Sequence, residues 1–145
     1  MIPDRPLRVT GLAGSLREGS LNKALLRAAQ DLAPHRLRIE IHDLVEIPLY
    51  NQDIENDRVP DAVAALREAV RGADGLLIAT PEYNHGVPGV LKNTIDWLSR
   101  PPRASALDGK PAAILGASPG MTSPPSISTS VSAVPPPQVH SIPPS

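Results

Sequence analysis

Cysteine is absent from this chain, which excludes a disulfide framework, a thiol nucleophile and any sulfur-ligated metal. Redox chemistry, if there is any, has to be borrowed from a bound cofactor. An excess of charge of either sign is missing too. With 14 basic side chains against 15 acidic ones, the chain has no electrostatic footprint for nucleic acid or for an anionic membrane surface. No apolar run approaches the length of a membrane span. The N-terminal stretch MIPDRPLRV carries an acid and two prolines where a secretory signal would carry an apolar segment. A cytoplasmic protein is therefore expected, with partners chosen by local sites. Its 145 residues leave room for one domain with a real core.

What is present divides the chain in two. All 29 charged side chains lie at or before Lys110, whereas the 25 residues from Met121 to Ser145 hold 7 prolines, 7 serines and no charge. A segment of that composition buries too little apolar surface to offset its ordering entropy. It is expected to be disordered or loosely extended, with the folded domain, residues 1–120, ending near Gly120.

Within that domain strands and helices alternate. Leu7 to Ala13 predicts a strand, and Leu21, Leu25, Ala28, Ala29 and Leu32 recur at helical spacing behind a Ser20 cap. LRIEIH alternates strictly, as a half-exposed edge strand does. A long polar loop through IPLYNQDIENDR follows, then a helix from about Pro60 with Val63, Leu66 and Val70 on one face and Gly72 as its stop. GLLIAT and AAILGA, separated by a helix with the stripe Leu91, Ile95 and Leu98, are continuous apolar runs of the kind buried on both faces. This series predicts an α/β, doubly wound parallel sheet with ligands bound outside the carboxyl ends of its strands. Three loops leave such ends: Gly14 to Gly19, Thr80 to Val87, and Ala117 to Gly120.

The first loop, in GSLREGSLN, meets neither the P-loop pattern, because no lysine follows Gly19, nor the dinucleotide fingerprint, because Gly11, Gly14 and Gly19 have the wrong spacing. What remains is a turn with the Ser15 and Ser20 hydroxyls, the Asn22 amide and the Arg17 guanidinium at a helix N-terminus. That set favours a compact dianion such as a monoester phosphate. The same residues also suit a plain helix cap beside a solvated arginine.

Taken together, GSLREGSLN, IPLYNQD, PEYN, PGVLKNTIDW and GASPG resemble the NADPH-dependent FMN reductases, a flavodoxin-like family that includes chromate, quinone and azo-dye reductases. The likeness runs from about Leu7 to Gly120. It implies FMN as cofactor and NADPH or NADH as electron donor. It implies phosphate contacts from Ser15, Arg17, Ser20 and Asn22, with backbone from Leu21. It places Pro81, Glu82, Tyr83 and Asn84 along the flavin ring and brings Ser118 to it from the fourth strand. No catalytic side chain is required, because hydride transfer belongs to the cofactor. The acceptor would be a small molecule such as a quinone, azo dye, chromate or free flavin, and the family is typically dimeric or tetrameric. Two alternatives come from other classes: a flavodoxin-like electron carrier, disfavoured by the near-neutral charge, and an inactive remnant that binds nothing.

Several side chains call for plainer readings. Lys92 and Asp96 suit a surface ion pair, and Trp97 suits packing against a neighbouring element or subunit. Tyr50 borders either the active site or a subunit contact. The four histidines have no ligand spacing, and only His85 lies beside the flavin loop. The family continues past GASPG with a helix, a fifth strand and a last helix, which the tail of this chain does not match. The expected sheet is thus incomplete at its C-terminal side, with the fourth strand an unpaired edge. A reading-frame shift or truncation near Gly120 is the simplest account of the tail, and a proline-rich ligand in PPPQVHSIPP is its rival.

Overall fold

The computed structural model describes residues 3–81, 87–118 and 126–133. Its elements are β1 (Leu7–Ala13), α1 (Leu21–Leu32), β2 (Leu37–His42), α2 (Gln52–Asp57), α3 (Asp61–Arg71), β3 (Gly75–Ala79), α4 (Gly89–Leu98), β4 (Pro111–Ser118) and β5 (Ser126–Ala133). The sheet order is β2-β1-β3-β4-β5. β1 lies between β2 and β3 and is parallel to both, and β3 is parallel to β4. This is the flavodoxin-like winding, whose direction reverses between β1 and β3.

Alternation along the strands assigns the two faces. Leu12, Leu76, Ile78 and Ala112 meet Leu66 and Val70 of α3 and Leu91 and Leu98 of α4 in one core cluster. Ala13 and Ala79 point the other way and pack with Leu26 of α1. Gly11 lets α1 lie close to the sheet on that side, since a Cβ there would sit 3.4 Å from Leu26 Cδ2 and 3.3 Å from Ile39 Cγ2. The α3 stripe of Val63, Leu66 and Val70 is buried as its spacing predicts, and Gly72 ends the helix.

Four expectations need correction. The buried face of α1 is set by Asn22 and Leu26, whereas Leu21 and Leu32 are exposed; apolarity misphases this helix because a polar side chain occupies the core position. Residues 52–57 form α2 rather than loop, capped by Asn51, whose side chain accepts from the Asp53 N–H at 2.9 Å. β4 is not buried on both faces. Ala112 and Ile114 share one face, yet only Ala112 is buried and Ile114 is 36% exposed, because the core cluster under α3 and α4 takes in the first and not the second.

The fourth correction concerns the tail. Ser126–Ala133 is a strand, antiparallel to β4, with Ser118 opposite Ser126 and Pro111 opposite Ala133. β4 is therefore not an unpaired edge, and the segment after Gly120 is not structureless throughout. SISTSVSA alternates serine with isoleucine, threonine and valine, a period-2 signal the composition of the tail obscures. The link from Ser118 to Ser126 is too short for a parallel crossover, which needs a dozen or more residues, so only antiparallel pairing is open to it.

Candidate active site

The first loop leaves β1 at the winding reversal. Ser20 caps α1, its hydroxyl oxygen accepting from the N–H groups of Asn22 at 3.2 Å and Lys23 at 3.4 Å. Ser15 Oγ likewise accepts from the Arg17 N–H at 3.4 Å. Each hydroxyl, having accepted, still has a proton to donate. Among the described residues nothing accepts from the N–H groups of Leu16, Glu18, Gly19 or Leu21. Arg17 is exposed and folds over the turn, donating from Nη2 to the Gly19 carbonyl at 3.2 Å. Ser15, Arg17, Ser20 and Leu21 therefore share one donor-rich turn at a helix N-terminus, the setting in which anions bind.

Three strand ends are tied together beneath this turn. The Gly14 N–H donates to the Ala79 carbonyl at 2.8 Å, and the Thr80 N–H to the Leu115 carbonyl at 2.9 Å. Gly14 runs so close to Thr80 that a Cβ on it would fall 2.4 Å from Thr80 Oγ1 and 2.9 Å from its Cβ. The buried Asn22 side chain completes the series. Its Nδ2 donates to the Ala117 carbonyl at 3.2 Å, and its Oδ1 accepts from the Ala117 N–H at 3.0 Å. The amide thus joins the loop to the fourth strand, and Nδ2 keeps a second proton to donate. Ser118 ends that strand, and Pro81 follows Thr80. Glu82, Tyr83 and Asn84 lie outside the described residues, as does His85.

Two participants were not singled out from the sequence. Thr80 is one. Lys23 is the other, its Nζ donating to the Leu16 carbonyl at 3.1 Å; a lysine in the first turn of a helix opposes the backbone dipole, and that placement was the available signal. A cleft of about 150 Å³ opens beside the loop between α1 and the ends of β1 and β2, lined by Ser15, Lys23, Arg27, His42 and Asp43 among others.

On the opposite face, residues 47–58 are held against α4. The Pro48 carbonyl accepts from Trp97 Nε1 and Asn93 Nδ2, each at 2.8 Å, and the Tyr50 ring meets Trp97 edge-on at 5.0 Å. Trp97 thus packs against a neighbouring element, and Tyr50 is engaged within its own chain. Glu55 accepts from Arg67 at 2.8 Å, Arg100 at 3.1 Å and the Tyr50 hydroxyl at 3.1 Å. Burial pushes the Glu55 carboxyl up, but hydrogen bonds from both arginines and the tyrosine outweigh it, leaving the group below its ordinary value. The Tyr50 hydroxyl is raised by burial first and by Glu55 second. Lys92 and Asp96 form the expected surface pair at 2.6 Å. Among the described residues no cluster of three or more histidine or acidic side chains is placed to hold a metal ion.

A doubly wound sheet of flavodoxin order, with a donor-rich turn at its reversal point, defines the class as a flavodoxin-like α/β protein. Comparisons with known proteins narrow it. The model of the NADPH-dependent FMN reductase family matches residues 7–130, and the chain belongs to that family. An NAD(P)H-dependent FMN reductase of Pseudomonas aeruginosa is 54% identical over 114 residues, covering 79% of this chain and 61% of that protein. A quinone reductase of Escherichia coli strain K12 is 45% identical over 117 residues, covering 79% and 62%. Among solved structures, FerB, a flavoenzyme NAD(P)H:(acceptor) oxidoreductase from Paracoccus denitrificans, superposes with a TM-score of 0.74 at 41% identity, covering 79% of this chain and 63% of that one. The chain spans about six-tenths of the length of the curated relatives it matches.

Proposed function

We propose that this chain is an FMN-dependent NAD(P)H oxidoreductase that reduces small acceptors, quinones foremost. One observation carries the reading: the ends of β1, β3 and β4 are hydrogen-bonded in series beneath a turn of unspent donors. The donor set fits the phosphate end of FMN. Two hydroxyls with free protons, a guanidinium and several backbone N–H groups suit a compact dianion, and the dipole of α1 favours it. Relatives named as FMN and quinone reductases support the same assignment.

In this reading Ser15, Arg17, Ser20, Asn22 and the Leu21 backbone bind the phosphate, and Asn22 also ties the turn to β4. Pro81, Glu82, Tyr83 and Asn84 line the ring, and Ser118 borders it. When bound, FMN supplies acceptance of a hydride from NAD(P)H and its delivery, as hydride or electrons, to a quinone, azo dye, chromate or free flavin. The protein binds, orients and leaves one face open to donor and acceptor in turn, so no side chain need transfer a proton. A cytoplasmic setting and a homodimeric or homotetrameric assembly belong to the same proposal. No helix among the described residues is long and apolar enough to cross a membrane.

The test is reconstitution of the purified chain with FMN, followed by gel filtration, a visible spectrum and NADPH oxidation with a quinone present. Retained flavin and quinone-dependent oxidation, with parallel initial-rate lines, are expected. A colourless protein without NADPH oxidation would refute the reading. Retained flavin that is reduced only through a second protein would favour an electron carrier.

A further inference from the structure

Lys23 stands where helix electrostatics disfavour a cation. It lies in the first turn of α1, which contains no acidic residue, at the end where the backbone dipole carries partial positive charge. Its side chain is nevertheless drawn in, at 13% exposure. Helical side chains lean toward the N-terminus, and this one runs back to the loop. There Nζ donates to the Leu16 carbonyl at 3.1 Å and lies 3.8 Å from the exposed Glu18 carboxylate.

The Leu16 carbonyl belongs to the peptide joining Leu16 to Arg17. In a trans peptide the C=O and N–H point in opposite directions. Holding the oxygen toward Lys23 therefore turns the Arg17 N–H away, toward Ser15 Oγ, to which it donates at 3.4 Å. The Ser15 hydroxyl, having accepted that bond, keeps its proton for a ligand. One ammonium thus fixes the turn's donor direction and adds a positive charge behind it.

We infer that Lys23 is a positioning residue for the anion turn and that, through the peptide it holds, it sets the preference for a flavin bearing a monoester phosphate over one without. The inference rests on the reading of this turn as the FMN phosphate site. It is tested by flavin fluorescence quenching with the full chain, comparing FMN with riboflavin for the native protein, Lys23→Met and Lys23→Arg. Methionine keeps the stem and removes charge and hydrogen bond. Loss of a charge-assisted bond is expected to weaken FMN binding by roughly tenfold or more, with riboflavin binding unchanged and most of the loss recovered by arginine. A general structural role would weaken both flavins together. Equal weakening of both, or an unchanged FMN preference in Lys23→Met, would overturn the proposal alone. A native protein that binds neither flavin would overturn the reading of the site and the proposal with it.

Discussion

Gly14 and Asn22 decide how the site is held, and each does so through a contact that no local pattern announces. At Gly14 the obstacle to a side chain is Thr80, whose Cα is also only 3.3 Å from the position of an added Cβ. Gly14→Ala is expected to cost about 2 kcal/mol by overpacking and to weaken FMN binding, with partial recovery when Thr80 is also changed to glycine. Urea unfolding of the single and double variants measures both effects. At Asn22 the consequence is an unpaired backbone. Asn22→Leu leaves the N–H and carbonyl of Ala117 without their partner, and about 3 kcal/mol of stability should be lost. Asn22→Asp keeps the acceptor but buries a carboxylate against the Ala117 carbonyl, and should lose at least as much. Neither loss in the unfolding curves would mean that loop and strand are not coupled as described.

Between elements, the Glu55 network decides where residues 47–58 lie. No residue of α2 is fully buried, so its position depends on Glu55, the side chain it turns inward, which is 11% exposed and faces Arg67 at 7%. Removing one partner of a buried pair strands the other charge, typically at about 3 kcal/mol. Glu55→Ala is expected to lose that much and to release Tyr50 from Trp97. Because Trp97 is the single tryptophan, a shift in intrinsic emission in the folded variant reports the release. An unchanged emission spectrum together with native stability would show that α2 is held by other contacts. β5 matters in the same way for the sheet, as its pairing covers backbone groups of β4 that would otherwise invite aggregation.

For the molecule as a whole, the balance of charge makes acid the informative stress. Arg5 grips Asp74 through two hydrogen bonds of 2.7 and 2.8 Å and the Arg8 N–H adds a third at 2.8 Å, pulling the Asp74 carboxyl well below the ordinary carboxylate range. Glu55 is lowered as well. A carboxylate whose folded value lies below its unfolded value stabilises the fold above the unfolded value. That stabilisation is lost as pH falls toward the folded value, because the unfolded chain then binds more protons. Stability should therefore hold near neutral pH and decline on acidification from about pH 4, less steeply in Asp74→Asn and in Glu55→Gln. Chemical denaturation across that range checks the slope, and variants with the native slope would contradict the assignment.

Strand and helix alternation, the capped, donor-rich turn and the likeness to the FMN reductases were legible because each depends on neighbours in the chain: spacing of apolar residues, a serine before a helix, glycines at a strand end. The phase of α1, the short helix α2, the pairing of Ser126–Ala133 and the exposure of Ile114 were not. They depend on partners remote in the chain, as Asn22 depends on Ala117, 95 positions away. Local chemistry thus dictates which segments can bind an anion or cross the sheet. Folding alone selects which polar group is buried and what it bonds to, because the cost of an unmade hydrogen bond is settled only when distant backbone is brought within reach.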